Sequence, residues 1–215
     1  MVIAIDGPAA SGKSTVARLL AERLGFYYVN TGAMYRAVTW FVLKNGVEPA
    51  DSQQVVELLK TMEFQAGLNG GHSTTLVNGI DPRAHLSDPE VARNVSVIAG
   101  IPEVRHLLVE KQREYLGHNN LVMEGRDIGS VVFPDTPFKF YIDASPEVRA
   151  RRRALEGCRD EIGDRDRLDS SRKASPLVVS QNAHVIDSSE LGIDQVVQAV
   201  IDKLKLQGGI PTHTD

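Results

Sequence analysis

VIAIDGPAASGKST, residues 2–15, decides how the rest of the chain is read. Its four consecutive aliphatic residues, Val2-Ile3-Ala4-Ile5, suit a central strand of a parallel sheet, because such a strand is covered on both faces and needs no polar alternation. From Lys13 the apolar residues fall at Val16, Leu19, Leu20 and Leu24, the spacing of a helix that stops at Gly25. Between strand and helix, Gly7-Pro8-Ala9-Ala10-Ser11-Gly12-Lys13-Ser14 fits the pattern G-x4-G-K-[ST], with Thr15 following. In such a loop the backbone amides turn onto phosphate oxygens and the helix presents its positive end to the same point. Lys13 is placed to reach the β- and γ-phosphates and Ser14 to ligate Mg²⁺. Chance produces the pattern in roughly 1% of chains this long, taking glycine at about 7%. The required strand and helix flank it here, so the chain is expected to bind a nucleotide.

The 215 residues suffice for one α/β domain with a small insertion, and a 42% hydrophobic content can fill a sizeable core. The net charge of −4 gives no general attraction to a nucleic acid polymer or an anionic membrane, so an anion site has to be built locally. The single cysteine, Cys158, excludes an internal disulfide framework and fits a reducing compartment; its setting, EGCRDE, reads as an exposed thiol rather than a nucleophile. The six histidines lack metal-ligand spacing, so no zinc site is expected. No basic segment precedes the short apolar run at the start, which is therefore no signal peptide, and no apolar window reaches the length of a membrane span. The expectation is a soluble, cytoplasmic protein.

Further along, helices are expected from Ala33 to about Lys44 and from Ser52 to Met62. Residues 63–86 hold two Asn-Gly pairs, Asn69-Gly70 and Asn78-Gly79, between short β-compatible runs, the signal of an antiparallel meander inserted into a βα chain. SDPEVARNVSVIAG returns to a helical pattern, with Ser87 and Glu90 at capping-box spacing, and another helix follows Pro102. Leu121–Met123 and Phe138–Ile142 read as core strands; after the second, Ser145 and Pro146 open a helix as N-cap and first residue. A charge-dense stretch at 157–175, a short strand at Ala183–Ile186, a helix at Ile193–Leu206 and a frayed tail complete the chain. No internal repeat is present. The alternation predicts an α/β fold: a three-layer, mostly parallel sheet with helices on both faces, as in P-loop NTPases.

A phosphate loop alone serves switches, motors, transporters and kinases. The chain has no N/T-K-x-D element to read guanine and no LSGGQ, and DEIG at 160–163 has no strand before it. The arginines are more informative. Arg36 follows TGAMY, Arg105 lies in IPEVR, and Arg126 lies in EGRDIG just past a core strand, where ligands of open α/β sheets collect. Arg149, Arg151, Arg152 and Arg153 share one helix, with Arg165, Arg167 and Arg172 beyond it. Guanidinium groups grip phosphate bidentately and stay charged when water is excluded. An enzyme that joins two anions needs such groups. Arg151 and Arg167 individually read as solvated, and the acids of RDEIGDRDR around Arg167 suit that reading.

Three stretches carry a resemblance: TGAMYR (31–36), EGRDIGSVVFPD (124–135) and RDRLDSSRKASPL (165–177). With the phosphate loop they stand in the order found in bacterial cytidylate kinases, of the nucleoside monophosphate kinase group, and the chain resembles that family to about residue 190. The resemblance implies phosphoryl transfer from ATP, with Mg²⁺, to CMP or dCMP. It implies a monomer in a single domain (core 1–62, 102–150 and 176–206; monophosphate-binding insertion about 63–101; lid about 151–175; tail 207–215). By motif position, Ser96, Arg105 and Asp127 would contact the cytosine ring, Arg165 and Asp169 the pentose hydroxyls, and Arg36, Arg126 and Arg172 the monophosphate and the passing phosphoryl group, with Thr31 beside the substrate. Tyr35 lies in the same motif, where packing is an equal reading. Lys13, Arg126, Arg153, Arg165 and Arg172 are the implied catalytic set. Only eleven residues separate Arg153 from Arg165, where longer family members have about twice as many. The short lid leaves open which of Arg149, Arg152 and Arg153 reaches the donor; Arg153 is preferred because it shares a helix face with Arg149. Another small-molecule kinase would keep the loop and lid without the Ser96, Arg105 and Asp127 set, and a non-catalytic ATP switch would have no need of the arginines.

Overall fold

A computed structural model of the chain describes residues 1–117, 119–155 and 177–210. In chain order the elements are β1 (Val2–Asp6), α1 (Lys13–Leu24), β2 (Tyr27–Asn30), α2 (Thr31–Lys44), α3 (Ser52–Leu59), β3 (Phe64–Asn69) and β4 (His72–Val77). Then come α4 (Pro89–Ile98), α5 (Pro102–Glu114), β5 (Leu121–Gly125), β6 (Lys139–Asp143), α6 (Pro146–Leu155), β7 (His184–Asp187) and α7 (Ile193–Leu206). A 3₁₀ turn at Arg83–His85 precedes α4, and a π-helical turn at Ile128–Val132 follows β5.

The strands form one sheet in the order β3-β4-β2-β5-β1-β6-β7. Every pairing is parallel except that of β3 with β4. The interior strand β1, between β5 and β6, is buried along its whole length, and its side chains divide by parity. Val2 and Ala4 join a cluster with Met34 and Val38 of α2, Val95 of α4 and Leu108 of α5. Ile3 and Ile5 face the opposite way, onto Val16 and Leu20 of α1 and Val197, Val200 and Leu204 of α7. The continuous aliphatic run therefore marks a strand with a helical layer on each face, as expected. Each valine, leucine, isoleucine or methionine among these side chains contributes about 1.5–3 kcal/mol on burial.

Several local expectations are corrected. β2 was not anticipated; it is four residues long and partly buried except at Val29. α2 starts at Thr31 rather than Ala33, because the Asn30 side chain accepts the Ala33 amide at 3.0 Å and caps the helix earlier. α3 stops at Leu59, short of Met62, as the chain tightens into i→i+3 bonds at Lys60, Thr61 and Met62. The Ser87–Glu90 capping box does not form. With Pro89 as first residue the N-cap moves to Asp88, Glu90 falls one position short of the box, and the Asp88 carboxylate meets His85 Nδ1 at 3.1 Å instead. The expected N-cap at Ser145 is present, its hydroxyl accepting the Val148 amide at 3.3 Å.

Of the expected meander one antiparallel pair forms, β3 with β4, its turn one residue later than read. Asn69 pairs with His72, and Gly70-Gly71 make the two-residue loop with φ of +56° and +82°, the conformation that favours glycine in a type I′ turn. The hairpin does not stand apart: Tyr28 donates its amide to Gly71 O at 2.8 Å, so β4 continues the main sheet beside β2. Of the lid expected at about 151–175 only residues 151–155 fall within the described residues; Cys158, Arg165, Arg167, Asp169 and Arg172 lie outside them, as do residues 211–215. Among the described residues no helix is long and apolar enough to cross a membrane.

Leu20 is fully buried between α1, the sheet and α7, whereas Leu206, at the end of α7, is 84% exposed. Leu20→Ala is expected to lower unfolding free energy by about 2–5 kcal/mol, and Leu206→Ala to stay within about 0.5 kcal/mol of wild type. Urea denaturation of the two variants checks the pair.

Candidate active site

At the carboxyl ends of β1, β2 and β5, where the chain's connections diverge to opposite sides of β1, lies a cavity of about 250 Å³. Ligands of open α/β sheets bind at such a point. One wall is the loop after β1 with the first turn of α1: Ala9, Ala10 and Gly12, then Lys13, Ser14 and Thr15. Gly12 occupies the N-cap of α1 with φ +88° and offers no side-chain cap, so no capping side chain competes for the amides of the first turn. The loop's outer side is held by α6. Arg149 donates to Ala9 O at 3.3 Å and Arg152 to Ser11 O at 3.1 Å; Ser188 Oγ also donates to Ser11 O, at 2.9 Å. A trans peptide sets each carbonyl opposite the next amide, so anchoring these carbonyls outside turns the Ala10 and Gly12 amides inward. Lys13 is buried, its ammonium donating to Pro8 O at 2.9 Å. Gly7, Pro8 and Ser11 belong to the loop but not to the cavity lining.

The other walls come from α2 (Thr31, Tyr35, Arg36), α4 and its end (Val95, Ser96, Ala99), α5 (Arg105) and the end of β5 (Glu124, Gly125, Arg126, Asp127). Arg105 and Asp127 form an ion pair whose side chains are only 5% and 6% exposed. Arg105 Nη1 also donates to Ala99 O at 3.2 Å, and the guanidinium lies 5.6 Å from the centre of the Tyr35 ring. Its Nε is buried with no hydrogen-bond partner among the described residues. Breaking such a pair from one side leaves a buried uncompensated charge, so its presence beside a cavity needs a use. Thr31 Oγ donates to Glu124 O at 2.8 Å. Arg126 is half-buried, its Nη1 3.4 Å from Gly125 O. Arg153 lines the cavity, while Arg149 and Arg152 are the two that grip the loop from behind. Arg165, Asp169 and Arg172 lie outside the described residues.

Two carboxylates were missed. Glu124, 3% exposed, lines the cavity and accepts from Tyr28 Oη at 3.1 Å; burial and that neighbouring carboxylate push the Tyr28 phenol well above its ordinary range. Asp6, 2% exposed, accepts the amides of Ile128 and Gly129, both at 2.8 Å. Both acids end otherwise apolar strands, and an acid in a buried strand is itself a signal, since it must be partnered there. For Mg²⁺ the fit rests on donor chemistry. Ser14 and Glu124 offer hard oxygens to the same cavity, yet among the described residues no group of three or more His, Cys, Asp or Glu could cage a metal. That suits a small cation that takes most of its ligands from phosphates and water.

The family model for cytidylate kinase matches residues 3–206. The chain is 44% identical to a cytidylate kinase of Caldanaerobacter subterraneus subsp. tengcongensis, over 94% of each chain. It is 42% identical to a cytidylate kinase of Clostridium botulinum, over 94% of this chain and 97% of that one. Among solved structures it resembles a gluconokinase from Sinorhizobium meliloti 1021, with TM-score 0.50 and 13% identity over 99% of this chain and 97% of the other, a likeness of fold.

Burial pushes the Asp6 carboxyl up from 3.8 to about 7, against the pull of its two amide donors and Arg126, with the charge of Asp127 adding to the rise. Between those values the folded state keeps a proton that the unfolded chain has released. The group's contribution to stability is therefore present below 3.8 and lost as pH rises through about 7. Urea midpoints from pH 4 to 8 are expected to show wild type losing stability relative to Asp6→Asn as pH rises; parallel profiles contradict the assignment.

Proposed function

The chain belongs to the cytidylate kinase family and is an ATP-dependent phosphotransferase acting on CMP; on that premise, we propose that the cavity seats the cytosine base of CMP against Arg105 and Asp127 and the donor phosphates against the loop at residues 7–15. The observation that carries this assignment of residues is the buried Arg105–Asp127 pair in the wall of the cavity that the loop also lines.

Cytosine offers an exocyclic amine as donor and a ring nitrogen and carbonyl as acceptors. A carboxylate beside a guanidinium matches that order, and the buried Arg105 Nε has a donor to give. Uracil would turn a carbonyl toward Asp127, acceptor against acceptor, leaving both desolvated without a bond. Ser96, buried on α4 in the same wall, is assigned to the base edge. Arg36 and Arg126 are assigned to the monophosphate, with Thr31 beside it. Arg165 and Asp169 are assigned to the pentose and Arg172 to the passing phosphoryl group by the family motif. dCMP is included as an acceptor.

The reaction needs no general base, since the acceptor phosphate is already an anion at neutral pH. Chemistry is left to positioning and to fixed positive charge. Lys13 leaves the Pro8 carbonyl for the donor phosphates, joined by the inward amides of Ala10 and Gly12. Arg153 approaches from the lid helix, and Arg126 and Arg172 spread the charge that develops on the group in transit. Mg²⁺ would be held by the Ser14 hydroxyl together with donor phosphate oxygens, where it neutralises charge on the leaving diphosphate. The same reading makes the enzyme a monomer of the cytoplasm, where its nucleotides are.

Asp127→Asn keeps the side chain's shape but replaces one acceptor with a donor. It is expected to lower kcat/KM for CMP about 10–100-fold, the cost of a hydrogen bond to a charged group, and to erase most of the preference over UMP, with KM for ATP within about twofold. Loss of ATP affinity with the CMP preference intact would falsify the role of Asp127. Lys13→Met is expected to lower kcat by about 100-fold or more at nearly unchanged KM for CMP, measured by coupled ADP release.

A further inference from the structure

Asp6 is absent from the cavity lining, yet it joins two of its walls. It is the last residue of β1, and Gly7 after it begins the phosphate loop. Its Oδ1 accepts the amide of Ile128 and its Oδ2 that of Gly129, the two residues that directly follow Arg126 and Asp127. Two bonds from one rigid carboxylate to consecutive amides fix the direction of that stretch of backbone as well as its distance. The carboxylate itself cannot drift. Asp6 is in register with Gly125 of β5 on one side and Tyr141 of β6 on the other. At Gly7, which has φ +154°, a Cβ would lie 2.1 Å from Ile142 O, so the loop's first residue is pressed directly onto β6. Beyond Asp127 the chain enters the π-helical turn, closed by Val132 N to Asp127 O at 3.2 Å and Phe133 N to Ile128 O at 2.7 Å.

We propose that Asp6 is a positioning residue that holds Arg126 and Asp127 in register with the phosphate loop, so that one carboxylate sets the acceptor-reading half of the pocket against the donor half. The proposal rests on the cytidylate kinase reading. It also accounts for an otherwise costly choice of residue. A carboxylate buried this deeply opposes folding when ionised, and serine or asparagine would be cheaper to bury. Neither offers two oxygens: serine has one, and the asparagine amide would turn an N–H toward one of the two backbone N–H groups. Only the acid receives both.

Asp6→Asn separates this role from a purely structural one. The expected result is a rise of at least tenfold in KM for CMP and a reduced preference for CMP over UMP, with KM for ATP within twofold. Combined with Asp127→Asn, it is expected to cost little more preference than Asp127→Asn alone, because the first substitution acts through the second residue. If wild type turns over CMP and Asp6→Asn keeps its preference and KM, the role of Asp6 is overturned while the family reading stands. If wild type leaves CMP untouched, the reading beneath it falls. Should Asp6→Asn not fold, wild type answers the question by NMR. A non-hydrolysable ATP analogue bound at the loop is expected to shift the Ile128 and Gly129 amide resonances; unmoved resonances overturn the coupling.

Discussion

The parallel ladder between β1 and β5 is the constraint on which the pocket depends. It runs in register from Val2 with Leu121 to Asp6 with Gly125, so both strands end at the same level. From one end issues the phosphate loop and from the other Arg126 and Asp127. A slip by one residue would exchange the faces of Ile3 and Ile5 with those of Val2 and Ala4, sending each into the wrong helical layer. It would also carry Asp6 away from the Ile128 and Gly129 amides. Hydrophobic burial on two faces thus fixes, to within one residue, where the charged groups of the site can stand.

Those charges are arranged against the protein's own negative balance of −4. Positive groups converge on the cavity as Lys13, Arg36, Arg126 and Arg153, beside inward loop amides. Not all arginines serve the same end. Arg149 and Arg152 hold loop carbonyls and so shape the amide nest from behind. Arg105 is neutralised by Asp127, which turns it from a phosphate binder into half of a polar edge. A desolvated pair of this kind is poor evidence of stability, and in the proposed reading its value lies in discriminating between bases that differ by one amine.

Pattern was enough for the central strands, read from unbroken apolar runs, and for α1 and α7, whose apolar residues recur at helical spacing. β2 escaped because four residues rich in tyrosine have no diagnostic alternation, and their burial is decided by β5 and β4 on either side. The capping box failed because Pro89 shifted the helix start by one residue. In the site, the phosphate loop could be read locally, since its chemistry is contiguous. The proposed base-reading set could not: Arg105 stood out only as one arginine among several, it meets Asp127 across 22 positions, and Ser96 has the pattern of an ordinary helix serine, so only the family resemblance grouped the three. Asp6 and Glu124 were passed over as ends of apolar runs, although burial makes every such acid accountable for its partners.

Initial rates with purified protein, Mg²⁺ and ATP, run in parallel on CMP and UMP at equal low concentration, test the central claim most directly. A carboxylate that accepts from the cytosine amine predicts CDP formation with kcat/KM for CMP at least about tenfold above that for UMP, the worth of one hydrogen bond to a charged group. Equal values for the two pyrimidines, or no turnover of CMP at all, would contradict it.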